Sequence, residues 1–247
     1  MTSSREPARG DPAKSLLGEK SRACDYCELR NRGFCGRLTA EQQSLLAAKS
    51  RLATLEAHKT LFRQGDETDH VYVVRNGLLR LYQRLLDGRR QVIGFAKPGD
   101  LLLFPLSGHN DYGADALDAA YLCQFRREDF ISFLRCDPEL WGALAVTVQE
   151  DLLQSRRQVA LLSQRRAEPK VAQFLLTLHE SYARPNNETT LVPVRVPQAD
   201  IADFLGMTVE TVNRTLARFV REAVISVTKR GIDFLDLRRL KAIAESF

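Results

Sequence analysis

Hydrophobic and polar positions divide the chain into stretches of different texture. From about Leu61, short runs rich in β-branched, leucine and aromatic residues recur: HVYVV at 70–74, LLRLYQRLL at 78–86, RQVIGF at 90–95, DLLLF at 100–104 and YLCQF at 121–125. Turn-forming groups separate them, Gln64-Gly65-Asp66, Asn76-Gly77, Asp87-Gly88 and Pro98-Gly99-Asp100. Short strands at a spacing of about ten residues predict an antiparallel sandwich or barrel.

After Asp137-Pro138 the period changes. Trp141, Leu144, Val148, Leu152, Ser155, Val159 and Leu162 follow three-and-four spacing, the mark of a long helix with one apolar stripe. At ~1.5 Å per residue, a helix from about 139 to 163 would run roughly 35 Å. The stripe resembles a coiled-coil seam, and the pattern alone also allows the helix to pack on its own barrel. A second helix is predicted from about Glu168 to Tyr182, followed by a loop at 184–189 and a short strand in LVPVRV ending at Pro197. Before the barrel, residues 1 to about 22 lack periodicity and read as a mobile tail. Thr39 is a good N-cap for a short helix through Ala47. There is no internal repeat.

The most specific pattern is PQADIADFLGMTVETVNRTLARFVR at 197–221. Gln198 to Phe204 reads as one helix, Gly206 supplies a sharp turn, and Thr208 caps a second helix. Ile201, Ala202, Leu205, Val212, Leu216 and Phe219 pack the pair together, which leaves Val209, Glu210, Asn213 and Arg214 outward. This is a helix-turn-helix with its reading face exposed. In a major groove arginine matches guanine, asparagine adenine and glutamate cytosine, so Arg214 is assigned to guanine. Arg218, Arg221, Lys229 and Arg230 are assigned to phosphates, which position a protein without reading sequence. Residues Ile225 to Leu235 read as a hairpin wing.

Length, charge and cysteines narrow this picture. A chain of 247 residues with 44% hydrophobic content buries a full core, and two domains are expected. No apolar run approaches the roughly 20 residues that span a membrane. The N-terminus holds no signal-peptide core, so the expected location is the cytoplasm, without membrane attachment. The net charge of +5 suits a polyanionic partner such as double-stranded DNA. In a reducing compartment the five cysteines point away from a disulfide framework, towards metal binding, redox chemistry or burial. Three of them, Cys24, Cys27 and Cys35, crowd into CDYCELRNRGFC.

A barrel, a long helix and a helix-turn-helix in that order resemble the Crp/Fnr family of bacterial transcription regulators, within it the branch of FnrN, FnrL and FixK-like proteins. The resemblance covers almost the whole chain from about residue 24 and rests on GRRQVIGFAKPGD at 88–100, LLSQRRAEPKVAQFLL at 161–176 and the helix-turn-helix itself. It implies an α+β fold: a tail (1–22), a cysteine-containing segment with a cupin-like antiparallel β-roll sensor domain (23–137), a dimerisation helix (138–164) and a C-terminal winged helix-turn-helix domain (165–247). It further implies a homodimer on a TTGAT...ATCAA palindrome, with RNA polymerase as a partner. Two half-sites about 34 Å apart need two recognition helices. Trp141, Leu144, Val148, Leu152, Ser155, Val159 and Leu162 are therefore assigned to the dimer seam.

For the sensed signal, cyclic-nucleotide receptors of the family hold the phosphate with an arginine. PGDLLLFPLSGHNDYGADALDAA at 98–120 has none, so no cyclic nucleotide is expected. The four histidines His58, His70, His109 and His179 form no haem motif. Four thiolates suit a 4Fe-4S cluster or a structural zinc. The spacing C-x2-C-x7-C, with Arg32-Gly33 before its last cysteine, resembles the FnrN and FnrL branch. That implies an oxygen-labile 4Fe-4S cluster on Cys24, Cys27, Cys35 and Cys123, while a FixK-like regulator without a cluster, active as a constitutive dimer, is the alternative. Cys136 reads as a half-buried structural thiol. The family's charged position in the dimer helix aligns with Ser155, one turn after Asp151, and its usual serine with Asn213. A cupin-type metal enzyme would need converging histidines and carboxylates; the barrel segment offers His70 and His109 in turn-like surroundings, and no catalytic residue is assigned.

Overall fold

Alternation in the first half and helical periodicity in the second produce the elements that a computed structural model describes over residues 27–103, 108–182 and 191–246. Cys24, the tail at 1–22 and the loop at 184–189 lie outside the described residues. Two single 3-10 turns, Glu28–Asn31 and Cys35–Arg37, lead into α1 (Ala40–Ala48). Thr39 closes α1 as anticipated: its Oγ1 accepts from Gln42 N at 3.2 Å and Gln42 Oε1 accepts from Thr39 N at 2.9 Å, a reciprocal capping box.

Eight strands follow: β1 (Arg51–Leu55), β2 (Thr60–Phe62), β3 (His70–Asn76), β4 (Leu79–Arg84), β5 (Arg90–Ala96), β6 (Leu101–Leu102), β7 (Gly113–Ala116) and β8 (Ala120–Arg126). They form two four-stranded antiparallel sheets, in the orders β1-β8-β3-β6 and β2-β7-β4-β5. Val74, Leu79, Ala96, Leu102, Ala120 and Leu122 fill the space that the sheets share. The run DLLLF shortens to two paired residues. β7, sequence Gly-Ala-Asp-Ala, carries none of the residues that favour strands. It pairs because Gly113 leaves room for the Tyr82 ring; a Cβ there would lie 2.4 Å from Tyr82 Cζ.

The remaining elements are α2 (Arg127–Arg135), α3 (Pro138–Leu162), α4 (Ala167–Tyr182), β9 (Leu191–Val192), α5 (Gln198–Leu205), α6 (Val209–Arg221), β10 (Ile225–Thr228), β11 (Gly231–Phe234) and α7 (Leu237–Ala244). The strand expected across LVPVRV is confined to β9, since Pro193 has no N–H to add to a ladder. β9 joins the wing hairpin in the order β10-β11-β9. α3 starts with Asp137 as cap and Pro138 in its first turn. Cys136, expected half-buried, is exposed: it is the C-cap of α2, where the chain turns outward, and its thiol donates to Ser132 O at 3.2 Å.

Gly206 sits between α5 and α6 at φ 62°, ψ 47°, the left-handed conformation in which its N–H reaches back to Ala202 and Asp203. A Cβ at this position would meet nothing closer than Leu162 Cδ2 at 3.6 Å, so a side chain here is opposed by the backbone conformation and not by a clash. Gly206→Ala should therefore lower stability by about 1–2 kcal/mol without altering the fold, read as a shift in the denaturant midpoint.

Candidate nucleic-acid interface and cysteine pocket

Thr208 starts the recognition helix by accepting from Thr211 N at 3.2 Å. Val212, Thr215, Leu216 and Phe219 then fall on the inner face with Ile201, Ala202 and Leu205 of α5, all buried. Val209, Glu210, Asn213 and Arg214 stand exposed on the outer face, together with Arg221, Lys229 and Arg230 of the helix end and wing. Arg218 differs from its neighbours. Its Nε donates to Glu222 Oε1 at 2.7 Å and its Nη1 pairs with Glu168 of α4, while Glu222 also pairs with Arg239. The hydrogen bond from Arg218 holds the Glu222 carboxyl below its ordinary value. Its charge is thus shared with two carboxylates that anchor α6, leaving less of it for a phosphate.

α3 carries an exposed stripe. Trp141, Val148, Leu152, Ser155, Val159 and Leu162 all face solvent, with Val159 67% exposed. Leu144 does not join them; it packs against the sensor core beside Ala143, and Ala145 takes the exposed position at that turn. With that exchange the stripe reads 141, 145, 148, 152, 155, 159, 162, alternating steps of four and three as a heptad seam requires. Val146 and Leu153 are also exposed and were not anticipated.

A cavity of about 400 Å³ lies where the sensor, α3 and the helical module meet, lined in part by Phe95, Asp100, Tyr112, Asp151, Gln158 and Phe174. Asp100 is raised above the ordinary carboxylate range by burial, against the pull of Lys97 at 3.4 Å. Burial, and then repulsion from Asp100, push Asp151 up to about 6. Tyr112 rises to about 12 through burial and then the negative charges of Asp151 and Asp111. The ionisable lining is more acidic than basic, a poor setting for an anion.

The three described cysteines of the expected set converge. Cys27, Cys35 and Cys123 line one small cavity of about 30 Å³ with Leu29, Leu46, Val73 and Phe125. Gln43 shapes its rim, its Nε2 donating to Arg30 O and Cys35 O at 2.8 Å, and its Oε1 accepting from Arg30 Nε at 3.0 Å. Phe34, fully buried against Phe130 with ring centroids 5.8 Å apart, pins the loop. Only glycine fits at Gly33: its φ is +52°, and a Cβ there would lie 2.0 Å from Gly99 O. Among the described residues no three His, Cys, Asp or Glu side chains are grouped so as to hold one metal ion. Cys24 lies outside the described residues.

One cluster escaped the sequence reading. Arg80 of β4 donates through Nη1 to both Asp200 oxygens at 3.0 Å and through Nη2 to Asp115 Oδ2 at 2.9 Å, where Arg90 Nη1 also arrives at 2.9 Å. Asp115 and Asp200 are buried, and Arg90 lies over the Tyr82 ring at 4.1 Å. The one available signal was Asp200, a charge among the apolar positions of the first helix-turn-helix element.

A β-rich sensor, a long helix with an exposed apolar stripe and a winged helix-turn-helix with a bare reading face together define a DNA-binding transcription regulator. Two family models match, a cyclic nucleotide-binding domain over residues 52–137 and a Crp-like helix-turn-helix domain over residues 169–243. The chain is 35% identical over 233 residues to the nitrogen fixation regulation protein FixK of Bradyrhizobium diazoefficiens, covering 94% of this chain and 98% of that protein. It is 36% identical over 222 residues to the transcriptional activatory protein AadR of Rhodopseudomonas palustris, covering 89% and 92%. The solved structure of FixK2 from Bradyrhizobium japonicum shares the fold at TM-score 0.71 and 23% identity, covering 80% of this chain and 98% of that one. The chain belongs to the Crp/Fnr family. Among the described residues no helix is long and apolar enough to cross a membrane.

Arg214→Ala should remove about 1–3 kcal/mol of discrimination at one base position and relax specificity there, measured by competition among operators changed at single bases. For Asp151 the raised value means that protonation favours the folded state. Stability then falls as pH rises from the unfolded value near 3.8 through about 6. Asp151→Asn should match the parent at pH 4 and become the more stable protein above pH 6, measured by thermal unfolding across that range.

Proposed function

We propose that the chain acts as a homodimeric transcription activator that reads a TTGAT...ATCAA palindrome and responds to oxygen through a 4Fe-4S cluster on Cys24, Cys27, Cys35 and Cys123. One observation carries the sensing part: thiols from two distant segments, 27–35 and 123, line the same apolar cavity. Cysteine sulfur is the donor that iron-sulfur clusters use, and the set fits in kind. When bound, the cluster would supply oxygen-labile iron-sulfur chemistry. The chain's own residues supply the rest: Gln43 and Phe34 hold the loop that bears Cys35, and Leu29, Leu46, Val73 and Phe125 give the half-buried thiols an apolar lining. Dimerisation is supported by the heptad spacing of the exposed α3 stripe, and activation by the name of the AadR relative. RNA polymerase is the partner that an activator engages. The acidic lining of the larger cavity supports a regulator without a cyclic nucleotide.

A second reading, a FixK-like constitutive dimer without a cluster, is favoured by the size of the cysteine cavity, which at about 30 Å³ has room for little more than one water molecule. Anaerobic purification followed by iron and sulfide analysis separates the two. The cluster reading expects a coloured protein with iron and sulfide in equal amounts, both lost in Cys123→Ser. A colourless protein that binds the palindrome equally well in air and without it leaves the second reading.

A further inference from the structure

The first helix of the helix-turn-helix has two faces, and only one serves the DNA-reading module. Ile201, Ala202 and Leu205 are buried in that module's core. Asp200 and Asp203 turn to the sensor instead, and Phe204 sits between module and sensor, its ring on Phe174 of α4 as well as on the sensor. Both oxygens of Asp200 receive the Arg80 guanidinium, as described. Asp203 Oδ2 accepts from Val92 N at 2.5 Å, and Asp203 O accepts from Gln91 Nε2 at 3.0 Å. The Phe204 ring meets Phe95 edge-on with centroids 5.2 Å apart, and Phe204 O accepts from Gln158 of α3 at 3.1 Å. The module is thus seated on β4, β5 and α3 at once.

These contacts differ in what they restrain. Aromatic packing tolerates sliding, whereas a guanidinium between two carboxylates accepts few orientations. The covalent connection between α3 and α4 is the short turn at 163–166, which Lys170 Nζ crosses to donate to Leu162 O at 2.9 Å; the orientation of the module beyond it is set by the contacts of the seat. No contact of the seat involves α6, whose reading face stays exposed. The seat therefore restrains the module in a pose that leaves the recognition helix available to DNA.

We infer that the Arg80–Asp200 pair, backed by Asp115 and Arg90, is a positioning latch that orients the recognition helix on the sensor, so that a dimer presents its two copies at the separation that two half-sites demand. The inference rests on the homodimer reading above. Half-sites lie about 34 Å apart, and the second is met intramolecularly only when the two modules are held in register. The latch then acts on the gain from binding both half-sites and leaves the contacts within one half-site unchanged.

The test compares Asp200→Asn, Arg80→Gln and the double variant on a full TTGAT...ATCAA duplex and on a duplex with one half-site, with sedimentation of each protein. Each single substitution should weaken binding to the full palindrome by roughly tenfold or more. The double variant should lose no more than a single one, and half-site binding, its salt dependence and the dimer should be unchanged. Arg80 lies in the sensor, so Arg80→Gln keeps the test meaningful if Asp200→Asn disturbs the helix pair. Unchanged palindrome affinity, a gain in affinity, or an equal loss on both duplexes overturns the latch. A parent protein that sediments as a monomer with its operator removes the dimer reading, and the latch falls with it.

Discussion

Arg80 lies at the junction on which the arrangement of this protein depends. Its guanidinium bridges Asp115, in the strand beside it, and Asp200, in the first helix of the DNA-reading module. An exposed ion pair contributes about 0–1 kcal/mol. A buried carboxylate that loses its partner destabilises by about 3–5 kcal/mol. Asp115 and Asp200 are both buried, so once the fold brings them near Arg80 the two halves of the chain share one electrostatic requirement. Packing reinforces it: Leu78 and Leu117 of the sensor belong to the same apolar cluster as Leu175, Ile201 and Phe219 of the module.

α3 imposes the second constraint. Its stripe leaves Trp141, Val148, Leu152, Val159 and Leu162 exposed along one side of a helix whose other side touches the sensor and the module. An apolar seam of that length is stable when another helix covers it, and its three-and-four steps match what two supercoiled helices bury. The fold thus places a cysteine pocket, an acid-lined cavity and a reading helix around a single long rod. α3 touches the surroundings of each: Arg37, two residues from Cys35, pairs with Glu150; Asp100 faces Asp151; Gln158 donates to Phe204 O of the helix that precedes the reading helix.

Much of this was legible in the residues. The strands around Val73, Leu81, Val92 and Leu122, the capped helix at Thr39, the turn at Gly206 and the wing at Ile225 all follow from local pattern. β1, β2, β7 and α2 were not anticipated. β7 illustrates why, since Gly-Ala-Asp-Ala becomes a strand only because neighbours on both sides offer paired backbone and Tyr82 needs the space above Gly113. Of the residues assigned to the α3 stripe, only Leu144 is not exposed: it looked like part of the stripe by hydrophobicity, but the sensor core takes it and Ala145 faces outward, with Val146 and Leu153 exposed beside the stripe.

Sequence alone determined the period of each segment, the residue types on the reading face and the crowding of three thiols near the start of the chain, because these are properties of neighbours along the backbone. Resemblance to a family had grouped Cys123 with Cys27 and Cys35, and the tertiary structure brings the three to one cavity; only the tertiary structure decided that Arg218 is shared with Glu168 and Glu222 and that Arg80 meets Asp200. Each of these joins residues distant in the chain, and the pairing of a charge or a thiol depends on which surfaces the hydrophobic core has already brought together. Periodicity says which face of an element turns inward; which other element meets that face is settled by packing.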